Sequence, residues 1–263
     1  VTDIDPNEQI NFPDPVLRAC VEKLIYGKNP GDPIYAKDVA GITEVNCNGV
    51  SNLTGMEAFG KIKYVYFQNS TIDSLEPLSH LFSMEFIQIG GGGVKTLNEI
   101  KDLSNITGMA YENASLEDIS ALANLSNLEN VFLGDNKISN VSSLASLPNI
   151  KIITVDSNPT LTTLGAQFTA PKLTEINVGN CGLTSLNELS GLPELASIDA
   201  QDNYLTNVSV FKNLPKLKGV AVNGNCLTEE AIQEYVDWFN ANDPVIPLTY
   251  DDVYSKQDYA KCQ

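Results

Sequence analysis

Apolar residues recur along the middle of this chain in blocks about 22 positions apart. Around Asn136 the block reads LENVFLGDNKISNVSSLASLPNI, with apolar side chains at Leu128, Val131, Leu133, Ile138, Val141, Leu144, Leu147 and Ile150. The same offsets around Asn203 give Leu195, Ile198, Ala200, Leu205, Val208, Phe211, Leu214 and Leu217. Around Gly92 they give Met84, Ile87, Ile89, Val94, Leu97, Ile100, Leu103 and Ile106. Val131 and Leu133 alternate with polar or outward positions, the period of a strand with one buried face. One column of the array reads Asn48, Ser70, Gly92, Ala114, Asn136, Asn158 and, past a one-residue insertion, Cys181, Asn203 and Asn225. Nine copies fit, with strands from about Val45 to Val222.

The pattern LxxLxLxxNxL at this period is the leucine-rich repeat, in which each unit supplies one short strand and buries its apolar face only against its neighbours. The expected fold is therefore α/β: a solenoid of about nine 22-residue repeats with a parallel concave sheet, convex turns or 3-10 helices, and helical caps at both ends. The Asn column has its own chemistry. An inward amide carries donors and acceptors that satisfy backbone groups of adjacent turns, so Asn48, Asn136, Asn158, Asn203 and Asn225, with Cys181 as a stand-in, are expected to form a structural ladder. Ser70, Gly92 and Ala114 interrupt it. The run IQIGGGGVKTL falls in this gap, and its frame places a solenoid turn where a phosphate loop needs a true helix N-terminus. Gly90, Gly91 and Gly92 are read as sites of close backbone approach, in a seam whose amides are expected to exchange faster than those of later repeats.

The ends depart from the repeat, as a solenoid requires if its terminal cores are to be covered. Residues 1–40 contain FPDPVLRACVEKLIYG, with Asp14 as N-cap, Pro15 at the first helical position, and Leu17, Val21, Leu24 and Ile25 on one stripe. Residues 41–227 hold the repeats. Residues 228–263 open with Thr228 capping EEAIQEYVDWFN, striped by Ile232, Tyr235, Val236 and Phe239, and continue past Asp243-Pro244 as an acidic, tyrosine-bearing tail. With Cys181 placed in the ladder, Cys20, Cys47, Cys226 and Cys262 remain. Four cysteines admit three pairings. Proximity along the fold gives Cys20 with Cys47 and Cys226 with Cys262, one staple per end, while reduced thiols throughout are the cytosolic alternative.

With 16 basic against 33 acidic side chains the net charge is −17, which repels nucleic-acid phosphates and anionic lipid. No apolar run approaches the length of a spanning helix. The single histidine, His80, falls on the convex side, Cys181 has no histidine to activate it, and no HExxH, GxSxG, CxxC or EF-hand pattern occurs. No enzymatic activity and no cofactor are expected. Asp135 with Asp156, and Glu175 with Asp199, sit near the ends of adjacent strands at a spacing that could hold a calcium ion, with Asp135 and Asp156 the metal candidates, and a solvated acidic face is the plainer reading.

What the strands present outward is more informative. The outward positions begin with Glu44 and Asn46, then Tyr64, Tyr66 and Gln68, Phe86 and Gln88, and Ala110 and Glu112. They continue with Asn130, Phe132 and Asp135, Ile152, Thr154 and Asp156, then Glu175, Asn177, Asp199, Gln201 and Asn223. Exposed aromatic residues are enriched in binding hot spots, and acidic residues favour a basic partner. Tyr64, Tyr66, Gln68, Phe86, Gln88, Asn130, Phe132, Asp135, Thr154, Asp156, Asn177 and Asp199 are the expected partner-binding residues.

The repeat unit together with the FPDPxLR cap resembles the internalin family of bacterial surface and secreted leucine-rich repeat proteins, over roughly residues 12 to 228. The resemblance implies a non-enzymatic adhesion or virulence factor, secreted or at the cell surface, that recognises a host cell-surface or matrix protein through the concave face without entering the membrane. The cap cysteines depart from the usual internalin pattern. Two other readings stay open: the repeat spacing also resembles that of cytosolic leucine-rich repeat scaffolds regulating protein phosphatases, and the carboxylates Asp135 and Asp156 would suit a calcium-dependent binding protein.

Overall fold

A computed structural model describes residues 4–242 and 248–262 of the chain, which folds as two compact units, Val1–Leu128 and Glu129–Gln263. Both are leucine-rich repeat stacks of short parallel strands in chain order, each strand returning through a turn that is often one 3-10 turn long. The first unit holds β1 (Glu44–Asn46), β2 (Tyr64–Phe67), β3 (Phe86–Gly90) and β4 (Gly108–Glu112). The second holds β5 (Asn130–Phe132), β6 (Ile152–Thr154), β7 (Glu175–Asn177), β8 (Ser197–Asp199) and β9 (Gly219–Ala221). The Asp243-Pro244 turn read from the sequence lies outside the described residues.

The inward strand residues Val45, Val65, Ile87, Met109, Val131, Ile153, Ile176 and Ile198 are all buried, as are the leucines of the returning turns. No single repeat encloses them, so the core of each unit is continuous from strand to strand. The register follows the period with two departures. Ile152 pairs with Glu175, a step of 23 that absorbs the inserted residue, and Glu44 pairs with Tyr64, a step of only 20.

The short first step corrects the ladder. Stepping back 20 residues from Ser70 reaches Val50, which is fully buried, whereas Asn48 aligns with Gln68 and is exposed. The first turn is two residues shorter and is closed by a fold end rather than by another repeat, so an apolar side chain serves where no preceding turn needs an amide. From Asn136 onward the ladder forms. Asn158 Nδ2 donates to Leu133 O at 3.0 Å, Val155 O at 2.9 Å and Asp156 O at 3.1 Å, and its Oδ1 accepts from Ile138 N–H at 2.8 Å. Asn203 and Asn225 repeat this arrangement, with Oδ1 accepting from Leu183 and Leu205. Cys181 manages two long contacts, to Val155 O at 3.5 Å and Gly179 O at 3.4 Å.

The gap in the ladder is filled in two ways. At Gly91 and Gly92, both with positive φ, an added Cβ would collide with the carbonyl oxygens of Ser70 and Ile72. The backbone there packs too closely for any side chain. Where a regular repeat would aim an Asn at the amide two residues past Gly92, Ala114 has nothing to offer. Instead the fully buried Tyr111 brings its hydroxyl to the Val94 backbone, and burial, partly offset by that backbone group, drives its pKa upward. The sequence reading missed this residue, since a tyrosine at an inward strand position registers only as bulk. Tyr111→Phe is expected to lower stability by about 1 kcal/mol by removing the polar atom set beside the Val94 amide. Chemical denaturation and an at least ten-fold faster exchange of that amide would check it.

The first unit is closed by α1 (Pro15–Leu24) and the short α2 (Ala36–Val39), which bury Leu17, Val21, Ala36 and Val39. In the second unit, α3 (Glu229–Asn242) covers the last repeat with Ala231, Ile232, Tyr235 and Val236, and Thr228 Oγ1 accepts from Ala231 N–H at 3.2 Å. The tail is structured: it carries α4 (Tyr250–Tyr254), capped by Thr249, and a 3-10 turn at Tyr259–Cys262. Two disulfides, Cys20–Cys47 and Cys226–Cys262, fasten these end segments, and Cys181 is the free thiol.

Candidate protein-binding face

In the first unit Tyr64, Tyr66, Gln68, Phe86 and Gln88 stand on the outer face of the sheet, each half-buried, because the pleat turns every second side chain away from the core. Tyr66 and Phe86 lie in adjacent repeats with ring centroids 5.6 Å apart and planes tilted by 36°. Phe86 in turn leans over the bare backbone of Gly108, where a Cβ would come within 2.7 Å of its ring. Gln68 does the same over Gly90, at 2.6 Å. Tyr64 is directed elsewhere. Its hydroxyl donates to Glu85 at 2.9 Å, and Glu85 also meets Lys63 at 2.6 Å. Those two bonds, Lys63's first, hold the Glu85 carboxyl below its ordinary pKa.

In the second unit Asn130, Phe132, Thr154, Asn177 and Asp199 occupy the equivalent outward positions, half-buried. Asn177 Oδ1 accepts from Gly179 N–H at 3.0 Å, and Asp199 accepts from Gln201 N–H at 3.1 Å. Asp156 leans back toward Gly134, where a Cβ would come within 2.9 Å of its Oδ1. Burial pushes the Asp156 carboxyl up, and the charges of Asp135 and Asp199 add to the shift. Asp135, Asp156 and Asp199 have no part in the seven ion pairs found among the described residues.

Among the solved structures that share this architecture are two internalins. Internalin C2 from Listeria monocytogenes is 24% identical with a TM-score of 0.64, over 85% of this chain and 92% of that one. An internalin designated InlF, from the same organism, is 19% identical with a TM-score of 0.52, over 84% and 80%. The fold is that of an internalin-like leucine-rich repeat protein. No protein-family model and no curated protein sequence matches the chain.

Within the internalin-like frame, two of the outward positions read from the sequence move. Asp135 does not stand on a strand: with φ of 54° it belongs to a left-handed corner column shared with Asn69, Asn113, Ser157, Asn180 and Asp202. Asn and Asp tolerate this conformation because their short polar side chains bond locally. Its counterpart in the next repeat is thus Ser157, and Asp156 corresponds to Gly134, so the two carboxylates are not register mates. Ala110 is buried, at 4% exposure, flanked in register by the longer Gln88. No group of three or more His, Cys, Asp or Glu among the described residues is arranged to hold a metal ion. His80 lies on the turn side, its Nδ1 within 2.9 Å of Ser79 Oγ and its ring edge-on to Phe82.

Cys181 is a ladder residue in its surroundings as well as its position. Burial pushes its thiol up to about 11 from 9.0, against the opposing bond from the Asn158 backbone. At mildly alkaline pH this leaves about 100-fold less thiolate than an ordinary cysteine holds. Alkylation by iodoacetamide is expected to be negligible in the folded chain and to proceed once it is unfolded, read by mass.

Proposed function

We propose that this chain is a non-enzymatic protein-recognition module, exported to a bacterial surface or its surroundings, that binds a host protein bearing a basic patch through the outer face of its sheet. The observation that carries the reading is the Tyr66 and Phe86 pair, two aromatic rings kept half in water at 5.6 Å on strands whose inward positions are already filled. Rigid aromatic side chains supply contact area at little entropic cost and are enriched among hot spots. The acidic residues of the second unit support a basic partner by steering its approach. The two disulfides support export, because such bonds persist in oxidising compartments and are rare in the cytosol, which weighs against the phosphatase-scaffold reading. No helix among the described residues is long and apolar enough to cross a membrane.

Affinity capture from mammalian cell-surface and matrix extracts tests the proposal, with Tyr66→Ala and Phe132→Asp chains, shown by melting to be folded, run beside the parent. The expected result is a protein retained by the parent and bound at least ~30-fold more weakly by both variants, in line with the loss of about 2 kcal/mol at a hot spot. Capture indifferent to both changes would overturn a role for this face.

A further inference from the structure

The last repeat is completed by chain from beyond it. Asn180 N–H donates to Gln201 O and Asp202 N–H to Asn223 O, both at 2.8 Å, so each corner amide meets a carbonyl of the following repeat. One period on, Gly224 N–H meets Lys256 O at 2.7 Å instead. Residues 248–262 thus stand where another repeat would have stood. Asp258 N–H donates to Asn225 O at 3.0 Å, and Tyr259 Oη donates to Leu227 O at 2.8 Å. Leu248 exchanges two bonds with the Asn240 amide on α3, and Leu248 and Val253 share a groove of about 180 Å³ with Val220, Val222 and Tyr235.

These polar contacts come with little apolar burial. Val253 is the only buried side chain among residues 248–262. Hydrogen bonds at a surface contribute little net stability each, so the Cys226–Cys262 bond, which joins residues 36 apart, is the main tie that keeps the segment at its site. The other end is built differently. Beside Cys20–Cys47, α1 buries Leu17 and Val21 completely, and Asp14 ties the helix to Ser51 and Asn52, so α1 keeps its place without the bond. Cys226 and Cys262 are each half-buried, within reach of an attacking thiolate, whereas Cys47 is 3% exposed.

We propose that Cys226–Cys262 is a thiol-sensitive latch, whose reduction releases residues 248–262 and bares Val220, Val222 and Tyr235 while the repeats and α1 stay folded. The reductant is a small thiol of the glutathione class. One thiolate attacks either sulfur, forms a mixed disulfide and expels the other cysteine as thiolate; a second thiolate then attacks the reductant's own sulfur in the mixed disulfide and frees the first cysteine. Two small thiols thereby give two electrons and two protons to the protein and leave as one small disulfide. Cys226 stays on the last repeat, and Cys262 departs with the released segment. The latch holds in an oxidising compartment and opens in a reducing one. It does not depend on the binding role assigned to the sheet face.

The test is amide-resolved hydrogen exchange of the whole chain in oxidised and in reduced glutathione, with the state of each cystine read by alkylation and mass. Reduced glutathione is expected to open Cys226–Cys262 in the folded chain and to speed exchange of the Gly224 and Asp258 amides at least ten-fold. The Ile138 and Leu183 amides, held by the ladder, are expected to stay as they were. A chain with Cys226→Ser and Cys262→Ser, shown by melting to be folded, should exchange fast at Gly224 and Asp258 in both buffers. A chain with Cys20→Ser and Cys47→Ser should respond as the parent does. A Cys226–Cys262 bond that resists glutathione until the Ile138 and Leu183 amides also open would overturn the proposal. So would Gly224 and Asp258 amides that remain protected after the bond is reduced, or in the chain that lacks Cys226 and Cys262.

Discussion

Replacing Asp14 by alanine is expected to lower the stability of the folded chain by about 4 kcal/mol, on the order of 10 °C in melting temperature. The carboxylate is 3% exposed and accepts five hydrogen bonds. Oδ1 caps α1 through Val16 N–H at 2.7 Å and Leu17 N–H at 2.9 Å, and Oδ2 takes Ser51 N–H at 2.6 Å, Ser51 Oγ at 2.7 Å and Asn52 N–H at 3.0 Å. One side chain thus starts the helix and ties it to the first turn of the repeats. Burial raises its pKa, but the bonds from Leu17, Ser51 and Asn52 outweigh that and hold it at about 2, against 3.8 for an ordinary aspartate. A carboxyl depressed on folding stabilises the native state fully above its unfolded pKa and loses that contribution as pH falls toward its folded one. Between about pH 4 and pH 2 the parent should therefore lose about 2 kcal/mol that Asp14→Ala has already lost. Urea melts of both chains across that window check this. An unchanged difference between them from neutral pH down to pH 2 would sink the assignment.

Asn203→Ala is expected to lower stability by about 3 kcal/mol, because a buried amide with all its groups engaged is replaced by a methyl that engages none. Nδ2 of Asn203 donates to Val178 O at 2.8 Å, Ala200 O at 3.2 Å and Gln201 O at 3.0 Å, while Oδ1 receives Leu183 N–H at 3.0 Å. Removing it leaves the Leu183 amide without a partner in a site water does not reach. Asn203→Cys should recover part of the loss, since Cys181 shows that a thiol fits the column. Denaturation of the two variants beside the parent checks the order alanine, cysteine, asparagine. Equal stabilities for Asn203→Ala and the parent would mean that the ladder is incidental to the stack.

The repeats, their inward residues, the Asn column from Asn136 to Asn225, the Asp14 cap and the pairing of the four end cysteines could all be read from spacing. All but the cysteine pairing depend on interactions local to a turn or repeated at one period, and a periodic requirement leaves a periodic trace; the pairing, at separations of 27 and 36 residues, followed from placing each cysteine at one end of the stack and left other pairings open. The misreadings share another origin. Counting whole periods aligns Asn48 with Ser70, but the first strand pairs after 20 residues. Counting along the strand places Asp135 outward, but the strand ends at Phe132 and the chain turns left-handed at a corner. A single insertion, deletion or corner changes the phase of everything beyond it, and composition gives no mark of where it falls.

The apolar and polar pattern by itself determined that the chain stacks parallel strands around a shared core, because no repeat buries its own leucines. Only the tertiary structure decided how departures from the pattern are accommodated. Tyr111 reaches the Val94 backbone beside a column left empty by Gly92 and Ala114, and Lys256 places a carbonyl on Gly224 where the next repeat would have stood. In both cases a residue distant in sequence comes to a backbone group that the local repeat leaves open. Such a bond requires only that two groups meet in space, so it imposes no spacing that a sequence can display.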